Sequence, residues 1–392
     1  MADQPATVVF QGIEVPAAAV NAKAFFAGTR RLRSPLATIA SWQGFGNTDT
    51  ITMRRSGVLA AVELKVVGTL VVTPGTGSVA TTYRWPYDMV RTRFTANGQS
   101  NLIAVKGWVL KARDIFRRGD LSDRGVSQGI GGASPGTTRT QGTLSLASES
   151  WGVGQGVTAI AGGTYDVELS LVVPVAEDMS TLLGAVFAQT TATSLDLNLD
   201  WAAQSDLFVL TGNATVTLAV SVVAEPIIFS IPSDGRGGIW LPNLSAFHSL
   251  VENRTTGVGN GANEHILVGQ GVGKQLERVF WRVFNGAPGV PLAVNATNFT
   301  NVHWAYGSND TPETFVDGLQ NRYVNERLFN ADFGLEGFTI IDFAKEWAFR
   351  DTIDEGAATD LRIGYNIPSG VTLTSPACEY VQETIFAGAA GA

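Results

Sequence analysis

Ser100 is the serine whose surroundings come nearest to a nucleophile motif. It lies in GQSNL, which lacks the second glycine of the G-x-S-x-G turn that exposes the catalytic serine of many hydrolases. Serines in polar stretches of this kind commonly cap a helix or belong to a turn. We therefore interpret Ser100 as a structural residue and not as a nucleophile.

Two further stretches resemble ligand-binding loops but lack residues that the chemistry requires. GQGVGK (269–274) suggests a phosphate loop, yet Gln275 follows the lysine where a Ser or Thr hydroxyl would bind Mg²⁺. Asp196, Asn198 and Asp200 alternate like the first ligands of a calcium loop, but leucines separate them and the glycine at the sixth position is missing. We interpret the first stretch as a strand connection and the second as the solvent-facing side of a strand.

Carbohydrate chemistry is a further possibility that the residues raise. Asp342 and Glu346 could form the carboxylate pair of a glycosidase, and His303-Trp304 beside Tyr306 could stack on a sugar ring. Nothing else in the sequence supports the carboxylate pair, and the aromatic residues fit the ordinary packing of a strand. We therefore expect a protein that is not an enzyme.

Metal and cofactor sites are not predicted either. The chain has one Cys, which excludes a disulfide framework, and three His. His248, His265 and His303 are far apart and outside the H-x-x-H or C-x-x-C spacing of metal sites. We expect neither a metal nor a cofactor.

The composition favours a protein that associates with copies of itself. Of the 392 residues only 16% are charged, while 45% are hydrophobic and 44 are Gly, whereas charged residues make up about 25% of a typical soluble protein. The net charge of −8 argues against nucleic-acid binding, which needs clustered Lys and Arg. Neither a secretory signal nor an apolar run of membrane-spanning length is recognisable, so we expect a soluble product of a cytoplasm.

Period-two alternation predicts strands over most of the first half. Residues 51–73 alternate apolar and charged side chains around Glu63 and Lys65, and residues 164–178 alternate without a fault. Apolar residues spaced by three or four positions predict a helix over 100–120. Further predictions are strands at 90–94, 194–201 and 214–229, a helix-like piece at 179–189, and a glycine-rich surface loop or ribbon at 119–163.

The second half of the chain repeats this order of elements. ATSLDLNLDW (192–201), for example, has its counterpart in ATDLRIGYNI (358–367). The offset between matched elements falls along the chain by about the length of the glycine-rich segment, as an insertion into one of two duplicated units requires. The matched elements are a strand pair at 263–286, a helix at 311–330, a strand at 337–347, a short helix at 348–356, and strands at 359–367 and 377–386.

The fold class that this pattern predicts is all-β, a double jelly roll. Many short alternating strands with helices in the connections are typical of an eight-stranded jelly roll. Immunoglobulin-like sandwiches are the alternative, but they rarely carry helices at matched places in both copies. We divide the chain into an N-terminal arm (1–45), a first jelly roll (46–225) that contains the insertion at 119–163, and a second jelly roll (226–392).

Two segments resemble a known family. RRSGVLAAVELKVVGTLVV (54–72) and YRWPYDMVRTRFTANGQSNLIAVKGWVLKARD (83–114) are similar to the first jelly roll of the major capsid proteins of tectivirus-like bacteriophages, particularly those of actinobacteria. The similarity is strongest over about residues 40–120 and continues to the C-terminus in the layout of the elements. It implies a homotrimer whose six jelly rolls form a pseudo-hexagonal capsomer, located in the shell of an icosahedral virion over an internal membrane. The partners it implies are neighbouring capsomers, that membrane, and penton or minor capsid proteins.

Arg30, Arg31 and Arg33 form a basic cluster just before the first predicted strand. In a capsid protein they could lie on an arm at the inner side of the shell and contact anionic lipid or a neighbouring subunit. The alternative is a solvated linker. For the chain as a whole, the alternative function is a tandem β-sandwich that binds or cleaves carbohydrate. A capsid protein of the other large tailed-phage class is a third option, which the duplicated strand pattern opposes.

Overall fold

The structure of the chain is a computed structural model. It describes residues 7–10, 13–33, 42–118, 158–189, 195–267, 273–286, 290–306, 310–329, 337–344, 352–354 and 360–387. Strands dominate these residues. The α-helices among the described residues are α1 (Ala22–Gly28), α2 (Gly107–Arg118), α3 (Gln204–Leu207) and α4 (Gly318–Phe329).

The strands divide into a first and a second series. The first series is β1 (Thr7–Phe10), β2 (Ile13–Pro16), β3 (Arg31–Arg33), β4 (Thr48–Thr52), β5 (Val58–Thr73), β6 (Val79–Thr81), β7 (Val90–Ala96), β8 (Gln99–Lys106), β9 (Thr158–Ile160), β10 (Gly163–Val173), β11 (Val186–Phe187), β12 (Leu195–Trp201), β13 (Phe208–Leu210) and β14 (Thr215–Phe229). The second series is β15 (Ala246–Thr255), β16 (Gly261–Ile266), β17 (Lys274–Asn285), β18 (Val290–Pro291), β19 (Thr300–Tyr306), β20 (Asp310–Asp317), β21 (Phe338–Asp342), β22 (Ile353–Asp354), β23 (Arg362–Ile367) and β24 (Ala377–Ala387).

Eight strands of the first series form a two-sheet sandwich, called roll 1 here. One sheet has the order β10-β5-β14-β3, and the other has the order β8-β7-β12-β4. When the eight strands are numbered along the chain, the sheets contain strands 6-3-8-1 and 5-4-7-2. This is the strand order that two interlocking Greek keys produce in a jelly roll.

Eight strands of the second series repeat that order and form roll 2. One sheet places β21 and β24 on either side of β17, with β15 beyond β24, and the other has the order β20-β19-β23-β16. Numbered along the chain, these strands again give 6-3-8-1 and 5-4-7-2. In both rolls a helix, α2 or α4, follows the fifth strand. The predicted duplication and the predicted fold class are therefore confirmed.

A parallel strand pair joins the two rolls. Leu250 and Val251 of β15 pair with Ile103 and Ala104 of β8, so one sheet of roll 1 continues into one sheet of roll 2. The core of roll 1 extends across this joint. Six buried residues of roll 2 belong to the same apolar cluster as the centre of roll 1: Phe247, Leu250, Phe280, Phe338, Ile340 and Val381.

Both long helices are shorter than the sequence predicts. Residues 100–106 and 311–317 extend β8 and β20, and helices begin only at Gly107 and Gly318. The apolar spacing that suggests a helix over 100–106 arises because β8 is buried on both faces from Leu102 to Val105, which removes the period-two signal. The prediction of one continuous helix over 100–120 or 311–330 is therefore wrong.

Two smaller helix predictions are also wrong where the structure describes them. Residues 179–189 form turns and the short strand β11, because Leu182 and Gly184 have positive φ values of 57° and 78°, which a right-handed helix cannot contain. Ile353–Asp354 is a strand that pairs with β17, and the rest of 348–356 lies largely outside the described residues. Of the insertion, 119–157 lies outside them too, while 158–163 forms β9 and the start of β10.

Several local predictions are confirmed. Glu63 and Lys65 of β5 point away from the core of roll 1 and alternate with the buried Val62, Leu64 and Val66. The turn at Asn97-Gly98 connects β7 and β8, and both residues have positive φ, 48° and 77°, which suits this dipeptide in a hairpin. Among the described residues, no helix is long and apolar enough to cross a membrane.

Candidate functional site

The residues that raise a catalytic or ligand-binding possibility in the sequence are not brought together. Ser100 is exposed on β8, and Asp342 is buried on β21 with its Oδ1 3.2 Å from Arg278 Nε. Glu346 and most of 269–274 lie outside the described residues. Trp304 packs edge-on against Phe343, with ring centroids 4.9 Å apart, and is part of a packed strand.

The alternating Asp196, Asn198 and Asp200 form a cross-strand ladder. Their side-chain oxygens accept hydrogen bonds from threonines on β4, for example from Thr50 Oγ1 to Asn198 Oδ1 at 2.7 Å. Arg93 also donates two hydrogen bonds to Asp200. Burial alone would raise the pKa of Asp200, but hydrogen bonds from Arg93 and Thr48 lower it below its usual value. These oxygens therefore accept hydrogen bonds from the neighbouring strands, and the ladder forms the polar outer side of a sheet.

A different set of residues, buried and charged, is gathered at the junction between the two rolls. The strands β17 and β24 lie centrally in one sheet of roll 2. Trp281 and Cys378 belong to the core of roll 2, whereas Phe280 and Val381 belong to the cluster centred on roll 1. The outer face of this sheet is therefore covered by roll 1. Two arginines of β17 and two glutamates of β24 are buried on it: Arg278, Arg282, Glu379 and Glu383.

The sheet register places these charges opposite one another. Arg278 is the cross-strand partner of Glu383, and Arg282 is the partner of Glu379, with Phe280 and Val381 between the two rows. Opposite charges directly across antiparallel strands attract at close range. Each row then receives further charged groups from roll 1.

The Arg278 cluster surrounds Glu383. The carboxylate of Glu383 accepts hydrogen bonds from Arg278 Nη1 at 2.8 Å and from Arg113 Nε of α2 at 2.7 Å. His248 contacts the same carboxylate, with its Nε2 2.9 Å from Glu383 Oε1. Its Nδ1 lies 2.8 Å from the carbonyl oxygen of Pro174. Arg113 Nη2 also donates to the carbonyl of Glu177, so α2 and the segment after β10 are both tied to β24.

The Arg282 cluster surrounds Glu379. Arg282 Nη2 donates to Glu379 Oε2 at 2.9 Å and to Asp88 Oδ2 of roll 1 at 2.7 Å. Lys106 Nζ, at the end of β8, donates to Glu379 Oε1 at 2.7 Å and lies 3.2 Å from Glu252 on β15. The guanidinium carbon of Arg282 also lies 4.1 Å from the centre of the Trp108 ring, a cation–π distance.

The electrostatics keep the central carboxylates ionised. Burial alone would raise the pKa of Glu383, but the positive charges of Arg113 and Arg278 outweigh it and hold the pKa well below its usual range. For Glu379 the same balance, with Arg282 and Lys106 as the cations, lowers the pKa to about 2. Burial dominates at Glu252, whose pKa is raised. The two central carboxylates, Glu379 and Glu383, therefore stay ionised in buried ion pairs over the ordinary pH range.

Three buried glutamates of the Arg278 cluster are close enough to suggest a cation site. The side-chain oxygens of Glu177, Glu277 and Glu383 lie within 4.8 Å of one another. However, Arg278 Nη1 lies 3.6, 3.3 and 2.8 Å from these carboxylates. Its guanidinium occupies the position that a metal ion would take, so the cluster is an arginine–carboxylate network.

Comparison of the whole chain with known proteins bears on the architecture. The sequence matches no protein-family model and no curated protein. Solved structures do match. The crystal structure of the STIV MCP has a TM-score of 0.61 at 15% identity, covering 92% of this chain and 96% of that chain. The structure of Sulfolobus turreted icosahedral virus matches with a TM-score of 0.61 at 14% identity, covering 91% of both chains.

The Faustovirus major capsid protein matches with a TM-score of 0.53 at 9% identity, covering 91% of this chain and 90% of that chain. These matches cover at least 91% of this chain and therefore include both rolls and the junction between them. The chain has the double jelly-roll fold. At these identities the likeness establishes the architecture alone.

The charged junction of this double jelly roll is the feature that sequence analysis missed. Its signal lies in LERVFWRVF (276–284) and CEYVQETIF (378–386), where two like charges four positions apart interrupt strands that are mostly apolar. Such a spacing places both charges on the same face of a strand. A face with two charges and one large apolar residue between them suits a surface that is covered by another unit.

The basic cluster of the sequence lies elsewhere. Arg31 and Arg33 belong to β3, which pairs with β14, so the expectation that the arginines precede the first strand is wrong. All three arginine side chains are exposed. Arg33 Nη2 lies 2.7 Å from Glu63 Oε1, an exposed pair of the kind that contributes little to stability.

Proposed function

We propose that the double jelly roll is the major capsid protein of a large icosahedral virus. The observation that supports this most directly is the repetition of one eight-strand order in both halves of the chain, with the halves joined by a shared sheet and buried charges. Two similar rolls in one rigid unit suit a tile that must make similar contacts on several sides. The protein would then reside in the shell of the virion.

The finer proposal is a tectivirus-like bacteriophage with an internal membrane. In that arrangement three copies, with two rolls each, form a pseudo-hexagonal capsomer that contacts neighbouring capsomers and, at the vertices, penton or minor capsid proteins. The similarity of residues 54–72 and 83–114 to such capsid proteins supports it. The low charge content of the chain, 16%, also suits a surface that copies of the chain cover.

A structural role without catalysis is part of the proposal. The charged groups gathered at the junction are engaged with one another, and Asp342 is in contact with Arg278. The alternative, a carbohydrate-binding or carbohydrate-cleaving tandem sandwich, would need an open cleft with a carboxylate pair or an exposed aromatic platform. Among the described residues, Asp342 and Trp304 do not provide one.

The division into an arm (1–45) and two rolls (46–225 and 226–392) remains part of the proposal. Because β3 pairs with β14, the arm would contribute the first strand of roll 1. The exposed Arg30, Arg31 and Arg33 would then lie at one edge of roll 1, available to anionic lipid or to a neighbouring subunit.

The proposal is tested by the mass and shape of the purified protein. Light scattering should give about three times the chain mass of 41.5 kDa, and negative-stain microscopy should show particles with six lobes. A monomer that is retained on a glycan column would contradict the proposal and favour the carbohydrate alternative.

A further inference from the structure

The junction contains a third glutamate, Glu252 of β15, whose neighbours differ from those of Glu379 and Glu383. In the register of β15 and β24, Glu252 lies opposite Val381, whereas Glu379 and Glu383 each lie opposite an arginine of β17. Residues directly opposite each other point to the same face of a sheet. Because Val381 packs into the cluster centred on roll 1, Glu252 lies on the covered face as well. Its cross-strand neighbour on that face is apolar.

The carboxyl group of Glu252 is buried and poorly paired. Only 6% of its side chain is exposed. Its Oε1 is buried and, among the described residues, receives no hydrogen bond of suitable geometry. Lys106 Nζ lies 3.2 Å from that oxygen but donates its hydrogen bond to Glu379 Oε1 at 2.7 Å. The lysine that could neutralise Glu252 therefore already serves Glu379.

The charges of the Arg282 cluster balance without Glu252. Arg282 pairs with Glu379 and Asp88, and Lys106 pairs with Glu379, so two cations face two carboxylates. An ionised Glu252 would add a third negative charge. A buried carboxyl group without a counterion avoids this cost by keeping its proton. Burial accordingly raises the pKa of Glu252; Lys106 opposes the rise, and the negative charge of Glu379 adds to it.

The other charged groups near Glu252 are engaged elsewhere or solvated. Arg254 follows two residues later on the same face of β15, but its side chain is exposed. Arg91 lies across from Lys106 in the pairing of β7 and β8, and its partner on β12 is Asp200. His248, four residues before Glu252, contacts Glu383. These groups therefore leave the balance around Glu252 unchanged.

We propose that Glu252 is a proton-binding site that makes the contact between the two rolls pH-dependent, so that the rolls are held together when Glu252 carries a proton and loosened when the proton is lost. Glu252 belongs to roll 2, whereas Lys106 and Asp88 belong to roll 1. Water therefore reaches an ionised Glu252 when the rolls move apart, and this hydration favours the looser state.

The sign of the pH dependence follows from the direction of the pKa change. The folded state binds this proton more tightly than the unfolded chain does. Stability therefore falls as the pH rises above the unfolded value of about 4.3, and it becomes constant above the raised folded-state value. Glu379 and Glu383 act in the opposite direction, because their contribution is lost in acid.

The variant E252Q tests the site, because glutamine has the shape of the protonated side chain and cannot ionise. Urea denaturation should give equal unfolding constants for E252Q and wild type below about pH 4.3, and a smaller constant for E252Q at about pH 8. Equal constants at every pH would overturn the inference. So would an E252Q chain that is less stable than wild type or fails to fold, because Glu252 would then be an ionised partner of Lys106.

E379Q is the matched contrast, because Glu379 contacts the same lysine but keeps its charge. Burial alone would raise the pKa of Glu379, but Arg282 and Lys106 lower it to about 2. E379Q should therefore be less stable than wild type above about pH 4.3, with a deficit that shrinks in acid. Opposite effects of the two variants exclude a general response to the removal of negative charge. Effects of the same sign would refute the assignment.

Hydrogen exchange locates the effect in the molecule. The parallel pair of β8 and β15 joins the rolls, so its amides report their separation. After correction for the intrinsic rate, these amides should exchange faster in wild type at about pH 8 than at about pH 6, and equally at both in E252Q. A wild type without this difference, or a difference that persists in E252Q, would overturn the inference.

Discussion

Substitution of Glu383 by Gln should destabilise the junction strongly. The carboxylate accepts hydrogen bonds from Arg113 at 2.7 Å and Arg278 at 2.8 Å, and it has no solvent exposure. Removal of one partner from a buried ion pair typically costs about 3–5 kcal/mol, because the remaining charges stay desolvated. At about 2–4 °C per kcal/mol for a large domain, Tm should fall by on the order of 10 °C.

The pH dependence separates a charge effect from a packing effect. The folded-state pKa of Glu383 lies well below that of the unfolded chain, so its contribution is fully present above the unfolded value of about 4.3 and is lost as pH falls below it. The difference in Tm between wild type and E383Q should therefore be constant above about pH 5 and should shrink as the pH is lowered further.

The matched control is E264Q. Glu264 pairs with Arg362 at 3.1 Å but is 45% exposed, so the loss should be below about 1 kcal/mol. If E383Q were no less stable than E264Q, or if its deficit were independent of pH, the ion pairs would not carry the energy assigned to them here.

The remaining predictions concern packing, titration and the basic cluster. W108A should lower the free energy of unfolding by about 3–5 kcal/mol, measured by urea denaturation, because it leaves a cavity under Arg282 and Phe338. Burial lowers the pKa of His265 to about 4, so the folded state should lose up to about 3 kcal/mol as pH falls from the unfolded value of about 6.5 towards 4. H265Q should abolish that part of the acid-induced fall in Tm, and an unchanged slope would contradict the assignment. Replacement of Arg30, Arg31 and Arg33 by Gln should reduce particle yield or retained lipid in an assembly assay, and normal particles would end the lipid hypothesis.

The repeated architecture was accessible from the sequence because most strands have one buried face. The alternating segments 194–201 and 359–367 form the strands β12 and β23, each of which is the seventh strand of its roll. A strand that is half buried records its orientation in every second residue. The order of such strands along the chain then suffices to recognise the duplication.

Sequence-based prediction failed where contacts between the rolls bury both faces of a strand, because the alternation of apolar and polar residues is then lost. β8 is apolar throughout residues 102–105 because roll 2 pairs with it and covers it, so its pattern resembles a helix as readily as a strand. The junction charges were missed for the related reason that buried and solvated glutamates look alike in a sequence. Only the covering of their sheet face by roll 1 distinguishes Glu379 and Glu383 from surface residues.

The spacing of the two charge clusters explains how the rolls hold one orientation. Apolar contact between Phe280 or Val381 and roll 1 favours burial but has little directional preference. The ion pairs lie on either side of that contact, and their glutamates are four residues apart along β24. One pair is formed with Arg113 of α2, and the other with Asp88 of the short 3₁₀ helix Tyr87–Met89 of roll 1. A rotation or one-residue shift of roll 1 would separate Arg113 from Glu383 and Asp88 from Arg282 together, leaving several buried charges without partners. The arrangement therefore favours one relative orientation of the two rolls, which is the property that the proposed capsid tile requires.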